Sequence, residues 1–414
     1  MSTVNENKTL VNLPIMKFER KYLLYLIISR FYVFSSVWLI FLYSLGYSLQ
    51  TVLLFNFLTI TITITFEIPA GFIAETFGQK QTLLGAYSIY LMSVLILLLN
   101  FSFPFLVLSN IFWGIGNSLS VDTEDIWLYN QLLVENNLDQ KKSENEFSKI
   151  YNKFIFLGFF STGVAEIIGS LSFSISVTIP ILISAGMMLL TIYWVQIIPS
   201  IPVHLTYNSE IDKAKGNYLK ELHEFIRIPI FKQIVAFIVL NSILFSIIVW
   251  FPNYLISLNL KPTLVSATIG CGTFVIGLGI ILSSKLVKST KADTILKFLL
   301  FLIPILLINV TLQTNFLIII SFFMIQAIYG SLIPYYRVKV ILNLPHNNKT
   351  VYLSIIGVFS LIIYVAVDVL TGLFVMLDFK LYFLIVASFL ALFVIPVIVI
   401  SLNHRQKNEK EMMN

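Results

Sequence analysis

Residues 51–100 read TVLLFNFLTITITITFEIPAGFIAETFGQKQTLLGAYSIYLMSVLILLLN. Two apolar runs, 51–73 and 82–99, flank a short polar bridge that holds Glu75, Gln79 and Lys80. A helix needs about 20 mostly apolar residues to cross the hydrocarbon core of a bilayer, and each run has roughly that length. Backbone groups in lipid must bond within their own segment, so long continuous runs of this kind are helices. Outer-membrane strands would show short alternating segments instead. The stretch therefore predicts a hairpin of two membrane-crossing helices joined by a polar turn.

The pattern repeats in both directions. Apolar runs fall at about 22–44, 51–73, 82–99, 105–133, 150–174 and 177–199, and again at 232–255, 264–285, 294–312, 316–340, 351–374 and 380–402. Composition agrees: the 414 residues are 57% hydrophobic and 12% charged, with a mean hydropathy of +0.89. A soluble domain carries about twice that charged fraction, and twelve crossings would use about 240 residues. A soluble globular protein, a disordered chain and a secreted disulfide scaffold are all excluded. The runs at 105–133 and 316–340 exceed the bilayer, so their cytoplasmic ends should project or tilt.

Basic residues orient the chain, because cytoplasmic loops retain Lys and Arg. With the N-terminus inside, the cytoplasmic segments and helix ends collect the tail residues Lys8, Lys17, Arg20 and Lys21, then Lys80, then Lys141, Lys142, Lys149 and Lys153. Lys213, Lys215, Lys220, Arg227 and Lys232 follow, and the second half behaves alike up to Arg405, Lys407 and Lys410. Lys261 and Lys380 fall outside, and Arg30 lies within the first span. The polar interruption at 200–231 divides the chain into halves of six spans, as in a parallel repeat about an axis along the membrane normal. The expected organisation is a cytoplasmic tail 1–21, a six-helix bundle 22–199, a cytoplasmic loop 200–231, a second bundle 232–402 and a cytoplasmic tail 403–414. The first residues lack the apolar core and cleavage site of a secretory signal, so the tail is read as retained.

Several chemistries find no support. The single cysteine, Cys271, forms no internal disulfide, and its surroundings (Gly270, Gly272, Gly277, Gly279) read as close helix packing. The four histidines lie in polar stretches between or after spans, so neither a metal site nor a cofactor is expected. No P-loop sequence for ATP occurs, which leaves a gradient as the driving force. The excess of 27 basic over 21 acidic residues forms no soluble patch, so nucleic acid is not an expected partner. No nucleophile–base arrangement suggests an enzyme.

The bridge between the second and third spans, Pro69-Ala70-Gly71-Phe72-Ile73-Ala74-Glu75-Thr76-Phe77-Gly78-Gln79-Lys80, resembles the signature loop G-x-x-x-D-R-x-G-R-R of the major facilitator superfamily. Gly71, Gly78 and Lys80 match, Glu75 stands for the usual aspartate, and Thr76 and Gln79 replace basic residues. In the fourth span, Thr123-Glu124-Asp125-Ile126-Trp127-Leu128-Tyr129-Asn130-Gln131-Leu132 is similar to a T-[DE]-E-A-L-L-Y-D-S-L run of bacterial facilitator-type permeases, many classed as drug or macrolide efflux proteins. Asn130 replaces its aspartate and Trp127 a leucine. The proline-glycine motif of the fifth span in drug–proton antiporters has no counterpart in Gly163-Val164-Ala165-Glu166-Ile167-Ile168-Gly169.

The resemblance implies an all-α membrane protein of twelve helices in two bundles, a monomer in the bacterial cytoplasmic membrane. It also implies that Gly71, Glu75, Gly78 and Lys80 form a gating loop, and that spans one and four line the translocation pathway.

Ionisable residues within spans usually face a cavity or a partner. Arg30 and Asp125 each lie about 8 residues from a cytoplasmic end, roughly 12 Å deep at 1.5 Å per residue. Asp122, Asp125 and Tyr129 share a helix face, while Glu124 points elsewhere. Arg30 is therefore expected to pair with Asp122 or Asp125, either to handle protons along the pathway or as a static lock. Arg337 in the tenth span is a candidate gate partner for Asp125, or an arginine reaching for lipid headgroups. Glu166 and Asp368 lie past the midplane in corresponding spans and are candidates for proton coupling or for interhelical hydrogen bonding. Trp38, Tyr129, Trp250, Tyr335 and Tyr336 are candidate walls of an apolar substrate pocket.

The function these features imply is secondary transport by alternating access. The resemblance favours export of a small amphipathic compound, a drug, an antibiotic or a self-made toxic peptide, in exchange for protons. Uptake of a nutrient by symport or facilitated diffusion is the alternative. A membrane sensor is the remote one, since it would carry a large soluble domain.

Overall fold

The computed structural model describes residues 15–135, 140–199, 223, 225–227, 231–286, 292–312, 315–343 and 349–400. Residues 1–14 of the expected tail 1–21, the expected tail 403–414 and nearly all of the 200–231 loop lie outside them. The described residues are helical almost throughout: α1 Ile15–Ser29, α2 Trp38–Ser44, α3 Leu49–Phe77, α4 Gln79–Leu99, α5 Phe103–Glu135, α6 Gln140–Ile175 and α7 Thr178–Ile197. They continue with α8 Phe231–Ser257, α9 Pro262–Leu286, α10 Ala292–Leu312, α11 Asn315–Asn343, α12 Lys349–Leu377 and α13 Phe379–Phe389, which runs into a π-helical stretch Leu390–Val394.

Among the described residues, 10 helices are long and apolar enough to span a bilayer. The expected tenth span corresponds to α11, whose described apolar part is Phe316–Leu332. The first expected span departs from the sequence reading. It begins earlier, at Ile15, and is not one helix: it stops at Ser29, passes through a 3-10 turn at Ser35–Val37 and resumes at Trp38. Between the two pieces stand Arg30-Phe31-Tyr32-Val33-Phe34-Ser35-Ser36. Aromatic and β-branched side chains lose rotamer freedom in a helix, and serine hydroxyls compete for backbone groups.

A break inside a membrane is tolerated only where the freed backbone groups find other partners. Here α6 and α7 supply them. Ser161 donates to the carbonyl of Ile27 at 2.5 Å, and Thr162 to that of Arg30 at 3.2 Å. The N–H of Phe34 donates to the Ser184 hydroxyl at 3.0 Å.

The chain divides into two compact units, one of Met1–Ser35 with Leu58–Asn208, the other of Ser36–Phe57 with Ser209–Asn414. Residues 36–57, which the sequence reading groups with the first bundle, thus cluster with the second unit. Tyr43 donates to the Asn253 side chain at 2.8 Å there. In the second unit the glycine-rich run packs as its composition suggests. A Cβ on Gly279 would collide with the carbonyl of Ala327, and one on Gly330 with that of Ile276, so α9 and α11 touch backbone to backbone.

Candidate functional site

The turn between α3 and α4 is built on Gly78, whose φ of +86° lies in the region that disfavours side chains. This glycine lets the chain reverse between two long helices and start α4 at Gln79. One turn position later, Lys80 reaches α7. Its Nζ donates to the carbonyls of Gln196 and Ile198, both at 2.8 Å. Helix C-termini leave their last carbonyls unpaired, and a lysine ammonium satisfies them while complementing the helix dipole. Lys80 therefore ties the bridge to the end of α7 within the first unit. Gly71 lies exposed on α3, and the side chain of Glu75 is outside the described ones. Lys80→Met should lower the melting temperature in detergent by the equivalent of about 1 kcal/mol, the worth of charged hydrogen bonds at a partly exposed site. An unchanged melting curve would show that the two bonds add nothing.

The densest polar cluster of the first unit surrounds Glu124. The face of α5 that carries Glu124, Trp127, Leu128, Gln131 and Leu132 is the buried one, and Glu124 itself is only 2% exposed. Its Oε2 accepts from Arg30 Nη2 at 2.5 Å. Its Oε1 accepts from the Tyr25 hydroxyl at 2.8 Å and from the Tyr87 hydroxyl at 2.6 Å. The two phenols are 2.9 Å apart, so they and Oε1 form a triangle of oxygens. Tyr22 donates to the backbone carbonyl of Glu124 at 2.8 Å. The rings of Tyr22 and Tyr25 meet Trp127 edge-on, at centroid distances of 5.6 and 5.9 Å. Geometry of this kind adds to the area buried.

Arg30 sits past the end of α1, not inside a continuous helix, and its guanidinium bonds Glu124, a residue outside the Asp122 and Asp125 pair that the sequence reading names. Asp125 instead accepts from Tyr151 of α6 at 3.2 Å. Asp122 lies in α5 with its side chain outside the described ones. The sequence signal for the cluster was present: tyrosine pairs spaced by three residues, Tyr22 with Tyr25 and Tyr87 with Tyr90, stand in otherwise apolar runs. A hydroxyl in such a run needs a partner; Tyr22, Tyr25 and Tyr87 find theirs on Glu124, and Tyr90 finds Asn117 and Ser120.

The second unit holds a simpler site. Asp368 of α12, 5% exposed, accepts from the indole Nε1 of Trp250 at 2.8 Å and from the Ser246 hydroxyl at 3.4 Å. The Ser246 hydroxyl also lies 3.0 Å from that of Thr371, which lies 3.4 Å from that of Tyr382, so hydroxyls continue from the carboxylate to α13. Trp250, expected as a pocket wall, is 1% exposed and serves as this hydrogen-bond donor. Trp38 packs against Phe41 and Phe55 at 5.9 and 6.0 Å. Glu166 is buried in α6, and Tyr129 is half-buried on α5. Arg337, Tyr335 and Tyr336 lie in α11 with side chains outside the described ones.

No sequence-family model matches the chain, and no curated protein matches it by sequence. Solved structures do match in fold. A mutant of the nucleoside transporter NupG aligns with a TM-score of 0.69 at 12% identity, covering 94% of this chain and 99% of that one. The human organic anion transporter MFSD10 aligns at 0.67 and 9% identity, over 93% and 99% of the two chains. A D-xylose–proton symporter aligns at 0.61 and 12%, over 91% and 96%. The chain is an all-helical, multi-span membrane protein with the major facilitator fold.

Proposed function

We propose that this chain is a secondary transporter that exports a small amphipathic compound by alternating access in exchange for protons. The observation that carries coupling is the Glu124 cluster. The buried carboxylate of Glu124 pairs with one guanidinium and accepts from two phenols, and it holds the guanidinium in place. A proton on Glu124 removes the charge that holds Arg30, and the polar geometry of the site changes with it. Proton and substrate thereby compete, which is the condition for exchange. Asp368 and Glu166 are the further buried acids open to the same role. The run at 123–132 supports export, through its resemblance to efflux permeases.

Glu124→Gln should abolish movement driven by a pH gradient in proteoliposomes, while labelled and unlabelled substrate still exchange across the membrane. Uphill movement at the original rate would sink the assignment of Glu124. Uptake by symport is the second reading, favoured by the fold shared with a D-xylose–proton symporter. Cells without the chain should become more sensitive to the substrate under the first reading and be starved of it under the second.

A further inference from the structure

Arg30 has donors that the Glu124 cluster does not use. A guanidinium carries five N–H groups in a rigid fork, and the ion pair with Glu124 occupies Nη2. The side chain is 44% exposed although its partner is 3% exposed. A charged group in a span that is open on one side faces water or a polar partner rather than lipid. Two residues along the break, Tyr32 stacks on Trp113 with centroids 4.4 Å apart and planes at 26°. Trp113 in turn meets Tyr90 at 4.3 Å, and Tyr90 meets Tyr87, which donates to the Glu124 carboxylate that Arg30 pairs with. Tyr32, Trp113 and Asn117 are all partly exposed. The part-exposed guanidinium and the Tyr32–Trp113 stack thus lie two residues apart along the break that α6 and α7 hydrogen-bond.

The charge balance selects what fits. Glu124 already matches the positive charge of Arg30, so an added anion would face that carboxylate without a cation of its own. A neutral oxygen acceptor meets the same donors without that repulsion. We infer that the break at Arg30–Tyr32 is a binding subsite for a neutral, planar aromatic compound carrying a carbonyl acceptor, the carbonyl on Arg30 and the ring on the Tyr32–Trp113 stack. This inference names the substrate class and rests on the transporter reading only for its purpose.

The test is equilibrium dialysis of the purified full-length protein in detergent against three probes: 1-naphthamide, 1-naphthoate and cyclohexanecarboxamide. The neutral aromatic amide should bind about tenfold tighter than either of the others, a ring stack and one unrepelled acceptor each being worth about that factor. Tyr32→Leu should remove the advantage over the aliphatic amide. Arg30→Lys keeps the charge but loses the planar fork, and should remove most of the amide affinity in a protein that still melts cooperatively. Glu124→Gln should invert the order of amide and carboxylate. Equal binding of the aromatic and aliphatic amides, or an order unchanged in Glu124→Gln, overturns the subsite. Transport of the same probes into proteoliposomes is scored separately. Gradient-driven movement without these binding preferences refutes the subsite alone, and the preferences without any movement refute the transporter reading alone.

Discussion

Arg30→Ala should be the most damaging single change in the first unit. It leaves Glu124, 2% exposed, with two phenols and no cation. Removing one partner of a buried ion pair costs about 3–5 kcal/mol, because the remaining charge stays buried. The variant should fold but melt well below the original and lose gradient-driven transport. The double substitution of Arg30 and Glu124 by methionine keeps volume and removes both charges. It should recover most of the stability, since apolar replacements for buried pairs are often neutral or better, yet remain inactive. Melting curves of Arg30→Met, Glu124→Met and the double form the cycle that checks this. If the double substitution loses as much stability as the two singles added together, the pair has no energetic coupling, and its proposed role in holding the guanidinium falls.

Trp250→Ala should have the largest effect in the second unit. The indole is 1% exposed, and truncating a buried aromatic costs about 3–5 kcal/mol through lost transfer energy and the cavity left behind. Trp250→Phe separates packing from hydrogen bonding. It retains most of the ring but removes the N–H that Asp368 accepts at 2.8 Å, an expected loss of about 1–3 kcal/mol for a donor to a buried charged group. Asp368→Asn in the phenylalanine background should then cost little more, because the bond it would have lost is already gone. Additive losses in that pair would mean that the indole and the carboxylate act independently.

How far the sequence was legible depends on which property is asked for. Runs such as 51–73 and 82–99 are set by solvent: twenty apolar residues in a row find no stable place in water, whatever their neighbours. The turn at Gly78 was equally readable, because a bend between two long helices needs a residue free to adopt positive φ. Lys80 was legible as part of that motif, but its two carbonyl partners on α7 were not, since nothing local relates residue 80 to residues 196 and 198. The first span shows the limit most clearly. Its hydropathy runs unbroken across Arg30–Ser36, and hydropathy does not report whether backbone groups have other partners. The break is stable because Ser161, Thr162 and Ser184, far along the chain, satisfy what it frees.

The choice of Glu124 over its neighbours has the same origin. Spacing on α5 groups Asp122, Asp125 and Tyr129 on one face and puts Glu124 off it. Which face turns inward is decided by the packing of Trp127, Leu128 and Leu132 against Tyr22, Tyr25 and Tyr87.

The linear order of residues by itself determined that the chain lives in a bilayer, that its segments are helices, and where the short turns fall. Those follow from the free energy of burying apolar side chains and from the backbone's need for hydrogen bonds without water. Only the tertiary structure decided that the first helix stops at Ser29, that Arg30 meets Glu124 and that Trp250 holds Asp368. Each of these is a contact between residues about a hundred positions apart in the chain, and such a contact exists only once the helices that carry them have packed.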